Sequence, residues 1–354
     1  MRKMIYKLVA AIVLSIPFAA AGQSFTIRLK NTLLTERRDE LVVLSKRFLD
    51  NKAGSVIKGN FSMIDAKGVE LPYQLDDLDG DSKWDEAALL ISFKPAEVIT
   101  LKIIIGKAPK NYITKRAHVR QRRKGNNNGF GQLLNRDSVP AGQPNTDFSK
   151  QQFSPFLTEG PAWENDKVGF RIYMDVRNTK DIWGKTTNAM ILDTVGVIPG
   201  SNYHHLDAWG MDILAVGKSL GAGSLALIVP FNGKDTLLRL GGTAMGPVIY
   251  EKVADGPLRA IFKMHYPRWQ ALRGLSPISV TEEISISGGQ YFYQSKVSIK
   301  NTPSGAALAV GLVNLKALPL QHLYGSNARI LYTYGRQSEN NNGLVMAIGV
   351  AGAK

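Results

Sequence analysis

A chain of 354 residues, 44% of them hydrophobic and none of them cysteine, must be held by an apolar core, without a disulfide framework or a thiolate metal site. Its formal charge of +15 favours an anionic partner. Beyond the N-terminal run, no stretch is long and apolar enough to span a membrane as a helix.

Residues 1–22 read as a secretory signal. Arg2, Lys3 and Lys7 precede the apolar run Leu8–Ala20, and Ala19-Ala20-Ala21-Gly22 supplies small residues for cleavage. Those three cations leave +12 on the rest of the chain. A secreted chain without a lipid-attachment cysteine is expected in a bacterial periplasm. At that address an acidic polysaccharide is a more fitting partner than nucleic acid.

Short strand-like runs follow, including Phe25–Leu29, Val56–Ile64, Ala87–Phe93 and Thr100–Ile105, and helical periodicity is nearly absent. Residues 23–106 are therefore expected to form a small β-sandwich. Within it, Asp77, Asp79, Asp81 and Asp85 flank Gly80. Oxygen ligands spaced around a glycine suit a structural calcium ion, although an Asp/Gly hairpin turn uses the same residues. The other candidate groups require no cofactor. Residues 107–156 carry Lys115, Arg116, Arg120, Arg122, Arg123 and Lys124 before a Gly/Asn tract, and read as a basic linker. Residues 157–354 return to strands separated by turn residues and read as a larger antiparallel β-structure.

The segment from Gly160 to Lys185 is the most informative. Val168, Phe170, Ile172, Met174 and Val176 alternate with Arg171, Tyr173 and Asp175, so an apolar face backs a row of cation, phenol and carboxylate. Trp163, Glu164 and Asp166 precede this row and Lys185 follows it. Aromatic planes among hydrogen-bonding groups suit a sugar. The row is expected to face outward, so Arg171→Ala is expected to cost activity rather than stability.

Next comes Tyr203-His204-His205-Leu-Asp207-Ala-Trp209-Gly210-Met-Asp212, which follows Pro199-Gly200. A loop histidine beside Tyr, Asp and Trp can transfer protons near neutrality, whereas adjacent histidines suit a zinc ion poorly. Exposed loop histidines would read the same way. Lys218 lies in Val216-Gly-Lys-Ser219, which is not a phosphate loop because Asp212 occupies the required glycine position. Gly221 and Gly223 suit a tight turn or the approach of a ligand to backbone. His265 shares one strand face with Ile261 and Lys263.

Several of these motifs resemble a bacterial secreted family, domain of unknown function 4861. The resemblance rests on Glu159-Gly-Pro-Ala-Trp-Glu-Asn-Asp-Lys-Val-Gly-Phe-Arg-Ile-Tyr173, Tyr203-His204, Trp209-Gly-Met-Asp212, Val216-Gly-Lys-Ser-Leu-Gly-Ala-Gly223 and Gly256-Pro-Leu-Arg259. It implies a galactose-mutarotase-like antiparallel β-supersandwich and a role in Bacteroidetes-type breakdown of uronate-containing polysaccharides, by dehydration of uronic-acid ends. Relative to that family, the Lys115–Lys124 insert is unusually basic and strands after Gly343–Val350 are fewer.

Such an elimination needs the uronate carboxylate neutralised, by Arg171 or Lys185, and an acid/base pair, His204 and Tyr173. A mutarotase or glycoside hydrolase would instead use His204 with Glu164 or Asp175. A non-catalytic binder would use Trp163, Trp183, Trp209 and Trp269 as stacking platforms. The substrate is expected to be an acidic oligosaccharide, with glycan, linkage and oligomeric state unspecified. Arg171, Tyr173 and His204, with Lys185, Lys218 or His265, are expected to line one cleft, His204 lying within about 15 Å of Arg171.

Overall fold

The computed structural model describes residues 23–110, 113–125, 129–141, 154–198, 201–325 and 328–351. Residues 1–22, expected from the sequence to be a signal, and Pro199-Gly200 lie outside the described residues. The N-terminal unit contains β1 (Ser24–Lys30), β2 (Arg37–Ser45), β3 (Phe61–Asp65), β4 (Glu70–Leu71), β5 (Gln74–Asp76), β6 (Glu86–Phe93) and β7 (Val98–Ile105). They form antiparallel sheets β1-β7-β3-β4 and β2-β6-β5 around Ile27, Leu44, Phe61, Leu89, Leu101 and Ile103. One helix, α1 (Lys46–Ala53), starts where the Ser45 hydroxyl accepts from Phe48 N, and ends at left-handed Gly54.

The larger unit begins earlier than the sequence suggested. β8 (Ala117–Arg120) and β9 (Arg136–Val139) precede β10 (Ala162–Asn165), β11 (Val168–Ile172), β12 (Lys180–Lys185) and β13 (Gly210–Asp212). After them come β14 (Ala222–Phe231), β15 (Lys234–Arg239), β16 (Val248–Asp255), β17 (Arg259–Trp269), β18 (Ile278–Ser287), β19 (Gln294–Lys300) and β20 (Ala307–Leu312). The chain finishes with β21 (Gln321–Tyr324), β22 (Ala328–Arg336) and β23 (Gly343–Ala351).

Two five-stranded sheets dominate this unit, β13-β12-β11-β10-β8 and β19-β18-β17-β16-β9; smaller sheets are β15-β14-β20 and β21-β22-β23. Strand alternation aims Trp163, Phe170 and Ile172 of the first sheet at Phe262, Met264 and Ile284 of the second. The same alternation leaves Ala162, Glu164, Arg171 and Asp181 on the first sheet's other face. The protein is thus all-β, built of antiparallel sheets packed face to face.

Two sequence readings change here. Residues 107–156 are not simply a linker, because β8 and β9 are edge strands of the two facing sheets. Their buried Ala117, Val119 and Val139 were hidden among charged neighbours, and the cations themselves are largely structural. Arg120 is fully buried and donates to the Leu157 and Leu192 carbonyls and the Thr158 hydroxyl. The strand at Val168 also stops at Ile172. Asp175 caps the turn beyond it, accepting from Arg177 N at 2.9 Å, so it leaves the row of Arg171 and Tyr173.

A buried polar clamp joins the two units. Gln74 Oε1 accepts from Leu258 N and Arg259 N at 2.7 and 2.9 Å, and Arg259 Nε donates to Asp76 at 2.9 Å. A second seam joins Arg116 to Asp39 and Asp166, each at 2.8 Å. Arg259→Ala would strand Asp76, which is 2% exposed, without its cation. The expected cost is about 3–5 kcal/mol of unfolding free energy, read by denaturant titration.

Candidate active site

The outer face of the β13-to-β8 sheet is covered by residues 186–198 and 201–209. Ile191, Leu192 and Val195 pack with Ala162 and Trp183, while Tyr203 and Trp209 lie 5.3 and 5.6 Å from the Trp183 ring. Buried ions tie the loop down. Glu164 Oε1 accepts from Ile191 N and Leu192 N at 2.7 and 2.8 Å, and its Oε2 pairs with Lys185 at 2.5 Å. Farther along the sheet, His118 places Nε2 3.2 Å from Asp193 and Nδ1 2.8 Å from Asp255. The return to β13 requires glycine at 210, whose φ is +127° and where a Cβ would lie 1.9 Å from the Gly184 oxygen.

Beneath the loop lies an ionic cluster centred on Arg171, which is fully buried. Its guanidinium meets Asp181 at 3.0 Å through Nε and also through Nη2. It reaches Asp212 Oδ2 at 2.9 Å, the Tyr173 hydroxyl at 2.7 Å, the Tyr203 hydroxyl at 3.1 Å and the Thr158 carbonyl at 3.2 Å. Burial alone would lower the Arg171 pKa, but Asp181, the two tyrosines and Asp212 outweigh it and hold it well above the ordinary value. Burial, then repulsion from Asp181, pushes Asp212 well above the usual carboxylate range, against the pull of Arg171. One cation does not satisfy both carboxylates, so a proton is favoured at Asp212.

Two backbone hydrogen bonds place the site's open half. Asp212 N donates to the Tyr203 carbonyl at 2.8 Å, and Glu339 N, in the turn between β22 and β23, donates to the Ile213 carbonyl at 2.9 Å. His204 Nδ1 consequently lies 3.0 Å from Glu339 Oε2 and 3.8 Å from Asp212 Oδ2. The His204 side chain is 45% exposed, whereas Asp212 is 1% exposed. It opens on a cavity of about 650 Å³ whose lining includes His205, Lys316, Gln337, Glu339 and Met346. Arg171 and His204 thus meet at a single carboxylate oxygen, one from the buried side and one from the open side.

Of the residues singled out in the sequence, Arg171, Tyr173 and His204 come together, and His205 lines the cavity. Arg171 and Tyr173 are buried behind Asp212 rather than facing outward, because the loop covers their side of the sheet. Burial also raises the Tyr173 pKa, keeping a neutral phenol there. Lys185 and Glu164 neutralise each other under the loop. Asp166 pairs with Arg116 and accepts from Gly289 N at 2.6 Å, and Asp175 pairs with Arg177. Trp163 and Trp269 belong to the core, so neither is a stacking platform, and Trp209 is half-buried against Trp183.

Lys218 is exposed in the turn after Val216 and is not part of the cavity lining. His265 sits on the outer face of the opposite sheet, with Thr281 at 3.1 Å and Glu251 at 3.4 Å, because Phe262, Met264 and Tyr266 take the core side. Gly221 allows close packing within the chain, where a Cβ would lie 2.0 Å from the Lys180 oxygen.

Asp181, Tyr203, Asp212, Lys316 and Glu339 complete the arrangement, and none was singled out as a site residue. The register that pairs Arg171 with Asp181 is a signal only once the hairpin is known. Glu339 lies in Ser-Glu-Asn-Asn-Asn342, which reads as an ordinary turn.

At the acidic loop, Asp77, Asp79 and Asp85 bring carboxylate oxygens within 4.8 Å of one another, while Asp81 turns to Lys83 at 2.7 Å. Calcium there is a proposal for three of the four aspartates. A rise in Tm on adding calcium, absent in Asp79→Asn, is the expected result.

Fold and site together define an all-β protein of stacked antiparallel sheets, with a buried ionic cluster that reaches a cavity through one histidine. The chain belongs to the family described as a domain of unknown function (DUF4861), whose model matches residues 29–353. Uncharacterized protein P7 of Formosa agariphila is 28% identical over 186 residues, covering 47% of this chain and 43% of that protein. The chain therefore matches less than half of that relative's length. An alpha-mannosidase from Enterococcus faecalis V583 superposes over 94% of this chain and 40% of its own, with a TM-score of 0.42 and 10% identity. That similarity is too low to transfer an activity. Among the described residues no helix is long and apolar enough to cross a membrane.

Two substitutions separate the roles of the cluster. Arg171→Ala leaves Asp181 and Asp212 buried without their cation, and about 3–5 kcal/mol of stability is the expected loss in denaturant titration. This reverses the expectation drawn from an outward-facing row. Asp212→Asn replaces a group that already favours its neutral form. Because the folded pKa of Asp212 is raised, wild-type stability should fall as pH climbs above the unfolded value of roughly 3.9, until the folded carboxyl has ionised. Denaturation across pH should show that decline reduced in Asp212→Asn.

Proposed function

We propose that this protein is a carbohydrate-active enzyme of carbon–oxygen lyase type, which removes water from uronic-acid ends of oligosaccharides during polysaccharide breakdown. The observation that carries the reading is His204 at the cavity mouth, with Nδ1 held 3.0 Å from Glu339 Oε2. That contact turns Nε2 towards the cavity, and the Glu339 carboxylate stabilises an imidazolium when one forms. The signal segment 1–22 and the net charge of +15 support a periplasmic setting and an acidic substrate.

In this reading His204 takes the proton from C5 of the uronate. The electron pair of that C–H bond forms the C4–C5 double bond as the C4–O bond breaks. The departing oxygen receives the proton from the imidazolium and leaves as water. The C5 proton is removable only when the adjacent carboxylate is neutralised, and Lys316 is the exposed cation of the cavity lining suited to that task. Arg171 is saturated by its own partners, so its part is to hold Asp212 in place. Tyr173 keeps its hydroxyl 2.7 Å from Arg171 Nη2.

Incubation with saturated uronate-ended oligosaccharides should give absorbance from a conjugated double bond. His204→Ala should lower kcat by about a hundredfold or more. Lys316→Ala should raise KM while leaving Tm unchanged, since the residue is exposed. No absorbance across pectic, glycosaminoglycan-type and algal oligosaccharides would sink the reading. Anomeric interconversion or reducing-end release would then favour a mutarotase or hydrolase, and binding without turnover a carbohydrate-binding protein.

A further inference from the structure

The β21-β22-β23 sheet carries a feature that the site chemistry does not use. Its register pairs Thr333 with Met346, Leu331 with Ile348, and Arg329 with Val350; across the other ladder His322 faces Leu331 and Tyr324 faces Arg329. Directly paired residues share a face, and so do residues two apart on a strand. All of these side chains therefore lie on the face of Met346, which lines the cavity. The face changes character along its length. Thr333 and Met346, nearest the Glu339 turn, are buried. Leu331 and Ile348 are half-exposed, and His322, Tyr324, Arg329 and Val350 are open to solvent. The His322 and Tyr324 rings lie parallel, at 7° and 6.1 Å between centroids.

We propose that this strip is an extended subsite for the chain of an acidic oligosaccharide whose end occupies the His204 cavity. The inference rests on the reading of that cavity as a carbohydrate site. From Met346 to Val350 a strand advances about 13 Å, which suits an oligosaccharide rather than one sugar. Aliphatic and aromatic planes beside hydrogen-bonding edges match the faces and rims of sugar rings, and Arg329 offers a planar, bidentate partner for a uronate carboxylate. The strip shares Met346 with the cavity lining, and its cation Arg329 complements an acidic chain. Sugars near the chain end would meet Leu331 and Ile348, and those farther along would meet His322, Tyr324 and Arg329.

The test compares uronate disaccharides with hexasaccharides of the same composition. Tyr324 is 73% exposed, so Tyr324→Ala should fold as wild type, which circular dichroism checks. The expected result is a hexasaccharide KM raised about tenfold in Tyr324→Ala and in Arg329→Gln, with disaccharide kcat and KM unchanged. Calorimetric binding to His204→Ala protein, with Tyr324 intact or replaced, separates the strip from the chemistry. Length-dependent binding lost with Tyr324 supports the strip even if no double bond is ever formed. Equal effects on both lengths, no effect on either, or no oligosaccharide binding overturns it. So does a dimer in solution that Tyr324→Ala dissolves, since the face would then belong to a second copy.

Discussion

The site depends on a shortage of positive charge. Arg171 is the cation shared by Asp181 and Asp212, both removed from water, and it also holds two phenols and a carbonyl. Desolvating such ions costs about as much as their attraction returns, so the cluster is a weak source of stability. Its consequence is positional. The guanidinium draws β11, β12 and β13 and the Tyr203 end of the covering loop towards one point. The unmet charge requirement pushes the Asp212 pKa up, on the carboxyl that His204 approaches from the cavity side.

The covering loop is held at its Asp193 turn by the same kind of interaction. Its Asp193 carboxylate meets His118, whose other nitrogen meets Asp255. Burial would lower the His118 pKa, but the carboxylates outweigh it and raise it; Asp255, despite burial, is held down at about 2. The Asp255 contribution to stability is thus present above its unfolded value and lost only as pH falls towards 2. The His118 contribution is present below the unfolded histidine value and is lost as pH rises through the folded one. Arg120 and Arg122 add donors to the backbone carbonyls of Leu192 and Asp193. Residues that read as a solvated basic run are therefore what fixes the lid over the sheet.

The fold was legible because its signals are local. Period-2 alternation and turn residues mark most strands, and the absence of helical periodicity marks the class. β8 and β9 are hard to see in the sequence because their few apolar positions sit among arginines such as Arg116 and Arg136, whose partners Asp39 and Glu251 lie far along the chain. The site was half legible. Arg171, Tyr173 and His204 stand out by type and spacing, but alternation alone points the first two at solvent, and nothing local says that residues 186–198 and 201–209 close over that face. Trp163 misled for the complementary reason, since alternation fixes two faces without saying which one is the core. Glu339 joins the site across more than a hundred residues, through one backbone hydrogen bond to Ile213.

The most direct test of the charge shortage is a carbon-13 NMR titration of the Asp212 carboxyl in the intact protein. The expected result is a transition well above the ordinary carboxylate range, moved by His204→Ala. An Asp212 carboxyl that ionises in the ordinary carboxylate range, indifferent to His204, would contradict the charge shortage on which the site has been built.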